Sequence, residues 1–200
     1  MILLNSAAQH IFWLGRYLSR IQQICQVLPF QDDKAAVAYA HHFCLPAWNA
    51  SSLNTLFLDP EQPFSIAAQF KLVQDNIQQL RAVLSPHAYA QLNQFIKVVE
   101  MKSLSICAVV HDCSEILEGE VEQVFLFYAL GRVIEELDYQ CRLNEPLDAT
   151  LQEIEHILAL LDGYCWSMKM DSLQQLATVR DMTALYHFSY ELITMFEVCE

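Results

Sequence analysis

Leu14-Gly15-Arg16-Tyr17-Leu18 stands inside an apolar helical stretch, and Leu130-Gly131-Arg132-Val133-Ile134 repeats its pattern 116 positions later. A glycine within a helix costs about 1 kcal/mol against alanine, so two at equivalent places require a compensating contact. The missing side chain lets another backbone approach, which marks Gly15 and Gly131 as positions where two helices meet or cross. Around the first glycine, Leu4, Ala7, Ile11, Leu14, Leu18, Ile21, Cys25 and Leu28 recur in steps of three and four. That is the seam of a packed helix. Phe12, Trp13 and Tyr17 widen the apolar stripe, as in a helix central to its bundle. Phe127, Leu130, Ile134, Leu137 and Cys141 reproduce the seam. The expectation is an all-α helical bundle of six or seven helices with an internal pseudo-two-fold repeat. It forms a single domain over residues 1–200, with repeat helices at about 5–28 and 119–143.

Local signals place the other elements. Asn5 or Ser6 can cap the first helix, and Pro29 stops it. Asp32-Asp33 opens a shorter helix to about Cys44. Residues 45–63 are rich in Pro, Asn, Ser and Asp and read as a long loop with one helical turn around Leu53–Leu58. Long connections in compact domains are often functional. A third helix runs from Pro63 or Ser65 to Leu84, with Ile66, Phe70, Val73, Ile77, Leu80 and Leu84 on its core face. Ser85-Pro86 starts a fourth, carrying Tyr89, Leu92, Phe95, Ile96 and Val99 and reaching Cys113. Ser114 caps a segment leading into the second repeat helix, which Asn144-Glu145-Pro146 ends. Asp148 caps a helix to about Trp166, and a last helix spans Asp171 to Val198. Nothing alternates with period two long enough to form a strand.

The net charge of −13 excludes a basic nucleic-acid footprint and disfavours anionic lipid surfaces. The longest unbroken apolar run, Val124 to Leu130, is far short of the roughly 18 residues of a membrane span. The expectation is therefore no nucleic-acid and no membrane partner. Seven cysteines form no C-x-x-C pair. Cys25, Cys107, Cys141 and Cys165 lie in apolar patterns, where a free thiol acts as a small hydrophobe. With no cationic start to the apolar N-terminus, this points to a reducing cytoplasm.

Arg16 and Arg132 follow the two glycines in otherwise apolar turns. A buried guanidinium needs carboxylate or carbonyl partners, because an unpaired buried charge is expensive. The run Trp13-Leu14-Gly15-Arg16-Tyr17-Leu18-Ser19-Arg20 resembles the bacterial alpha-E family, helical proteins named for a Glu-Arg dipeptide after the Gly-Arg. Asp59-Pro60, Ser65-Ile66, Gln74-Asp75-Asn76, Leu84-Ser85 and Leu92-Asn93 match a second block, and the repeat helix a third. The chain looks like a shortened member. It departs from the family at the dipeptide itself: Ser19-Arg20 keeps the Arg and Glu135-Glu136 keeps the Glu. The losses are complementary. If the copies are related by a local two-fold axis, Arg20 faces Glu135, and the second pair becomes Ser19 beside Glu136.

These residues define a candidate polar cluster of Arg16, Arg20, Arg132, Glu135, Glu136, Asp75 and Asn76, with Gly15 and Gly131 as packing positions. No catalytic residue, metal site or cofactor is expected. Glu153-x-x-His156 lacks the companion ligands of a di-iron bundle. Cys107, His111 and Glu115, with Cys113 nearby, share helical spacing that arises often without a metal, and His41-His42 suits a helix end. What the resemblance implies is a non-catalytic accessory or binding protein for an ATP-grasp-like ligase or a transglutaminase-like protein, in peptide or amide-bond metabolism. The alternative is an enzyme or small-anion-binding protein using an Arg/Glu cleft between the repeat helices. The last helix is apolar on more than one face and suits a protein partner or a second copy of the chain.

Overall fold

A computed structural model describes residues 3–102, 106–167 and 170–197. It is all-α, with ten helices and no strand among the described residues. Two long helices form the axis: α1 (Asn5–Val27) and α7 (Glu122–Leu143). Their buried faces carry the two repeated seams, except that Leu4, expected to begin the first, is exposed ahead of α1, and they pack along each other more extensively than any other pair. On α1 lie α4 (Ile66–Gln79) and α6 (Ile106–Glu118). On α7 lie α8 (Asp148–Asp162) and α10 (Met182–Thr194). The pair α2 (Asp33–His42) and α3 (Ala50–Leu58) sits together, α5 (Pro86–Lys102) packs on α6 and α4, and α9 (Asp171–Val179) on α10 and α8. One continuous hydrophobic core runs through the bundle.

The glycines show why the central helices can come so close. A Cβ on Gly15 would stand 2.2 Å from the Tyr128 carbonyl oxygen, and one on Gly131 would stand 2.0 Å from that of Phe12. The contact is reciprocal: each glycine meets the carbonyl three residues before the other. Both obstacles are backbone, so no rotamer change relieves them. The helix-propensity cost of each glycine is the condition for this crossing.

Ten helices replace the expected six or seven for local reasons. The stretch read as a loop contains a full nine-residue helix, α3. Asn49 Oδ1 accepts from Ser52 N (2.7 Å) and Ser52 Oγ accepts from Asn49 N (3.1 Å), a reciprocal cap. The single last helix is broken in two. Arg180 turns left-handed (φ 55°), and Asp181 caps the new helix through Ala184 N (2.7 Å). The fourth helix is likewise two, α5 and α6, with residues 103–105 between them outside the described set, as is the expected end at Val198; the Val99 side chain also lies outside it. Ser114 caps nothing: it lies within α6, and its hydroxyl donates to the Val110 carbonyl. Leu4 and Leu147, not Asn5, Ser6 or Asp148, occupy the cap positions of α1 and α8. The expected third helix stops at Gln79, and Leu84 remains buried beyond it in a turn.

The reading of the cysteines is also corrected. Cys25 on α1 and Cys107 on α6 are joined as a disulfide, their Cα atoms 5.8 Å apart across 82 residues of sequence. Each sits on an apolar seam, so nothing local distinguishes it from a small hydrophobe; the packing of α6 on α1 brings them together. Cys113 and Cys141 are free, and burial pushes their thiols up to about 12 and about 11. No described helix is long and apolar enough to cross a membrane.

Candidate functional site

One turn beyond the glycine crossing, the two central helices meet through charge. Glu135, buried on α7 with a side chain 5% exposed, faces Arg16 and Arg20 on α1. Arg20 donates from Nε to Oε1 (2.5 Å) and from Nη2 to Oε2 (2.8 Å), a two-point grip. Arg16 donates from Nε to Oε2 (2.9 Å). Residues four apart share a helix face, so both arginines of α1 reach the same carboxylate. Trp13 and Tyr17 stand three positions before them and provide aromatic shelves. The Arg16 guanidinium carbon lies 5.1 Å from the Trp13 ring centroid and that of Arg20 lies 6.0 Å from the Tyr17 ring.

The electrostatics follow from this packing. Burial alone would raise the Glu135 carboxyl, but the charges and hydrogen bonds of Arg20 and Arg16 outweigh it and hold the group below the ordinary 4.5. Burial works against the Arg20 charge as well. Glu135 and then Asp138 overcome it, and the guanidinium is held above its ordinary range. Glu135 is therefore an ionised carboxylate with both oxygens engaged, which removes it as a proton-transfer group at neutral pH.

The other candidates are distributed differently. Arg132 does not join the cluster; it reaches outward to Glu153 on α8 (2.5 Å), both half-exposed. Glu136 accepts from Gln23 (3.0 Å) and Gln140 (2.9 Å), and Gln140 in turn accepts from Thr150. The expected Ser19–Glu136 contact is thus replaced by Gln23, one turn along the same face of α1. Asn76 is buried on α4 and donates to the Leu72 carbonyl. Its Oδ1 lies 2.9 Å from His10 Nδ1 on α1, so it ties α4 to α1 away from the arginines. Asp75 faces solvent. The middle block therefore contributes a helix contact rather than a member of the cluster.

Beside Arg20 and Glu135 the helices enclose a pocket of about 300 Å³. Its lining combines Arg20, Glu135, Asp138 and Arg142 with the aromatic side chains of Tyr39, Phe43, Phe57 and Phe64, and the Arg142 guanidinium carbon lies 5.7 Å from the Phe43 ring centroid. Arg142 grips Asp138 one turn earlier on α7 (2.8 and 3.2 Å) and also donates to Tyr186. Its hydrogen bond to Asp138 leads the causes that hold it above the ordinary arginine range. Burial, followed by Tyr139 and Glu135, pushes the Tyr39 phenol well above its ordinary 10 and keeps it neutral. Asp138, Arg142 and the aromatic lining escaped the sequence reading. The i, i+4 spacing of Asp138 and Arg142 signals their pair, but nothing local signals that Phe57 or Phe64 faces it.

The alternative sites take ordinary roles. Cys107 is in the disulfide. His111 and Glu115 form an exposed pair at 3.5 Å. Glu153 belongs to Arg132. Among the described residues no group of three or more His, Cys, Asp or Glu converges as a metal site.

The fold is thus an all-α bundle whose two central helices cross at paired glycines and are joined by a buried Glu–Arg cluster. The profile of the Alpha-E family, described as a predicted alpha-helical domain with a conserved ER motif, matches residues 3–184, and the chain belongs to that family. No curated protein and no solved structure gives a significant match.

Proposed function

We propose that the protein is a non-catalytic accessory or binding subunit that works with an ATP-grasp-type ligase in peptide or amide-bond metabolism. The observation that carries the non-catalytic part is the state of Glu135. Its two oxygens are held by two guanidiniums in a buried site, so the motif behaves as a clasp between α1 and α7 rather than as a reactive group. The thiols of buried Cys113 and half-buried Cys141 are likewise poor nucleophiles, because their pKa is raised.

The reading extends to the origin of the fold. The reciprocal glycine contact supports a duplicated helix related by a local two-fold axis. On that axis the counterpart of Glu135 is Ser19 and the counterpart of Arg16 is Arg132. Loss of the carboxylate at position 19 accounts for Arg132 turning outward to Glu153. A functional clasp then survives on one side of the axis only.

The partner is inferred from family resemblance, and exposed aromatic side chains on α10, Tyr186 and Tyr190, supply a surface for it or for a second copy of the chain. A cytoplasmic location follows from an ATP-dependent partner. The cysteines no longer favour it, since disulfides persist chiefly in oxidising compartments. Affinity capture from native cells tests the proposal. Co-purification of an ATP-grasp-like protein is the expected result, and repeated recovery of the chain without such a partner refutes it.

A further inference from the structure

We propose that the pocket beside Arg20 binds a small monocarboxylate with an apolar body. This goes beyond the accessory role and does not depend on it, because a chain that captures no ligase can still bind a carboxylate.

Arg142 and Asp138 form a closed pair, bidentate on one helix face. Glu135, by contrast, stands between two guanidiniums, Arg16 and Arg20. The charged lining is balanced, Arg20 and Arg142 against Glu135 and Asp138, but Arg16 shares Glu135 from outside the lining, so Arg20 has only part of that counter-charge. Arg20 lies at the pocket, with a side chain 34% exposed. Two of its five N–H donors are taken by Glu135. A single negative charge placed against its free donors completes the counter-charge that Glu135 shares with Arg16. A dianion such as a phosphate overshoots that balance and meets the carboxylates of Glu135 and Asp138 in the same lining.

Apolar side chains complete the lining. Phe43, Phe57, Phe64 and Leu45 offer an apolar surface for the rest of the molecule. The volume of about 300 Å³ is at the lower end of small-molecule sites, which run from about 300 to 1,000 Å³. A further observation points the same way. Gln69 lines the pocket, and its Oε1 is buried without a hydrogen-bond partner among the described residues. Buried acceptors are normally matched; a carboxylate cannot donate to this oxygen, but turning the amide presents its Nε2 as a donor to a carboxylate.

Titration calorimetry on the full chain tests the proposal with three carboxylates: 3-phenylpropionate, hexanoate and N-acetylphenylalanine. The neutral 3-phenylpropionamide and the dianion phenyl phosphate serve as comparators. Saturable one-to-one binding of at least one carboxylate is expected, at least about tenfold tighter than either comparator. Arg20→Gln is expected to weaken it by about tenfold or more. Arg16 still holds Glu135 in that variant, and circular dichroism checks that it folds. Phe64→Glu alters a partly exposed lip residue outside the Arg–Glu clasp and is expected to abolish binding by placing a carboxylate at the mouth. Absence of saturable binding by all three carboxylates overturns the proposal. So does equal or tighter binding of the amide or the phosphate, or binding unchanged in both variants.

Discussion

Glu135 remains charged at 5% side-chain exposure because two guanidiniums face it, and removing one partner of such a group is worse than never having had it. Glu135→Gln leaves Arg16 and Arg20 without their counter-charge at the centre of the bundle. The expected loss is about 3–5 kcal/mol, read from urea denaturation at neutral pH. The same residue sets a pH signature. Its carboxyl is lowered in the folded state relative to 4.5, so its contribution is fully present above 4.5 and is lost as pH falls through the lower folded value. The stability difference between the wild-type protein and Glu135→Gln is therefore expected to be constant above pH 4.5 and to shrink below it. A difference that grows on acidification contradicts the clasp. Much of this was legible beforehand. A two-fold relation that sets the Glu of one repeat against the Arg of the other pairs Arg20 with Glu135, and Trp13–Arg16 and Tyr17–Arg20 are i, i+3 neighbours on one helix. The second grip, from Arg16, depends on how deeply the two helices interlock.

For the helices, the glycine crossing decides the geometry. Gly131→Ala improves helix propensity by about 1 kcal/mol, yet its methyl group would press on the Phe12 carbonyl at 2.0 Å. The helices must separate, and overpacking of a core typically costs about 1–3 kcal/mol. A net loss of stability despite the better propensity is expected from the denaturation midpoint, and Gly15→Ala should behave alike. Stabilisation by either substitution rules out the close crossing. At α3 the reciprocal Asn49–Ser52 cap holds a nine-residue helix that carries Phe57 on the pocket wall. Isolated helices this short are marginal in water. Asn49→Ala is expected to cost about 1 kcal/mol, measured in the same way. Composition hid this helix. Its Ser and Asn residues read as loop-formers, whereas two of the polar residues at its start are the cap itself.

In the molecule as a whole, the Cys25–Cys107 bond closes 82 residues of chain and ties α6 to α1. A cross-link over a loop of that size typically contributes about 2–4 kcal/mol, chiefly by restricting the unfolded chain. Reduction is expected to lower the melting temperature by roughly 5–15 °C. Peptide mapping without reductant should recover the Cys25 and Cys107 peptides joined; alkylation of both residues without reductant contradicts the bond.

By itself, the sequence determined the helical class, the two central helices, the meaning of Gly15 and Gly131, and the Arg20–Glu135 partnership. Each of these is written in a local period or in the repeat that relates one local pattern to another. Tertiary structure alone decided that Arg132 and Asp75 stand outside the cluster, that Cys25 meets Cys107, and that Phe43, Phe57 and Phe64 line one pocket beside Arg20. Those facts depend on how α2, α3, α4, α6 and α8 dock on the central pair. Docking is set by the shape of buried side chains summed over whole faces, and no short stretch of residues carries that sum.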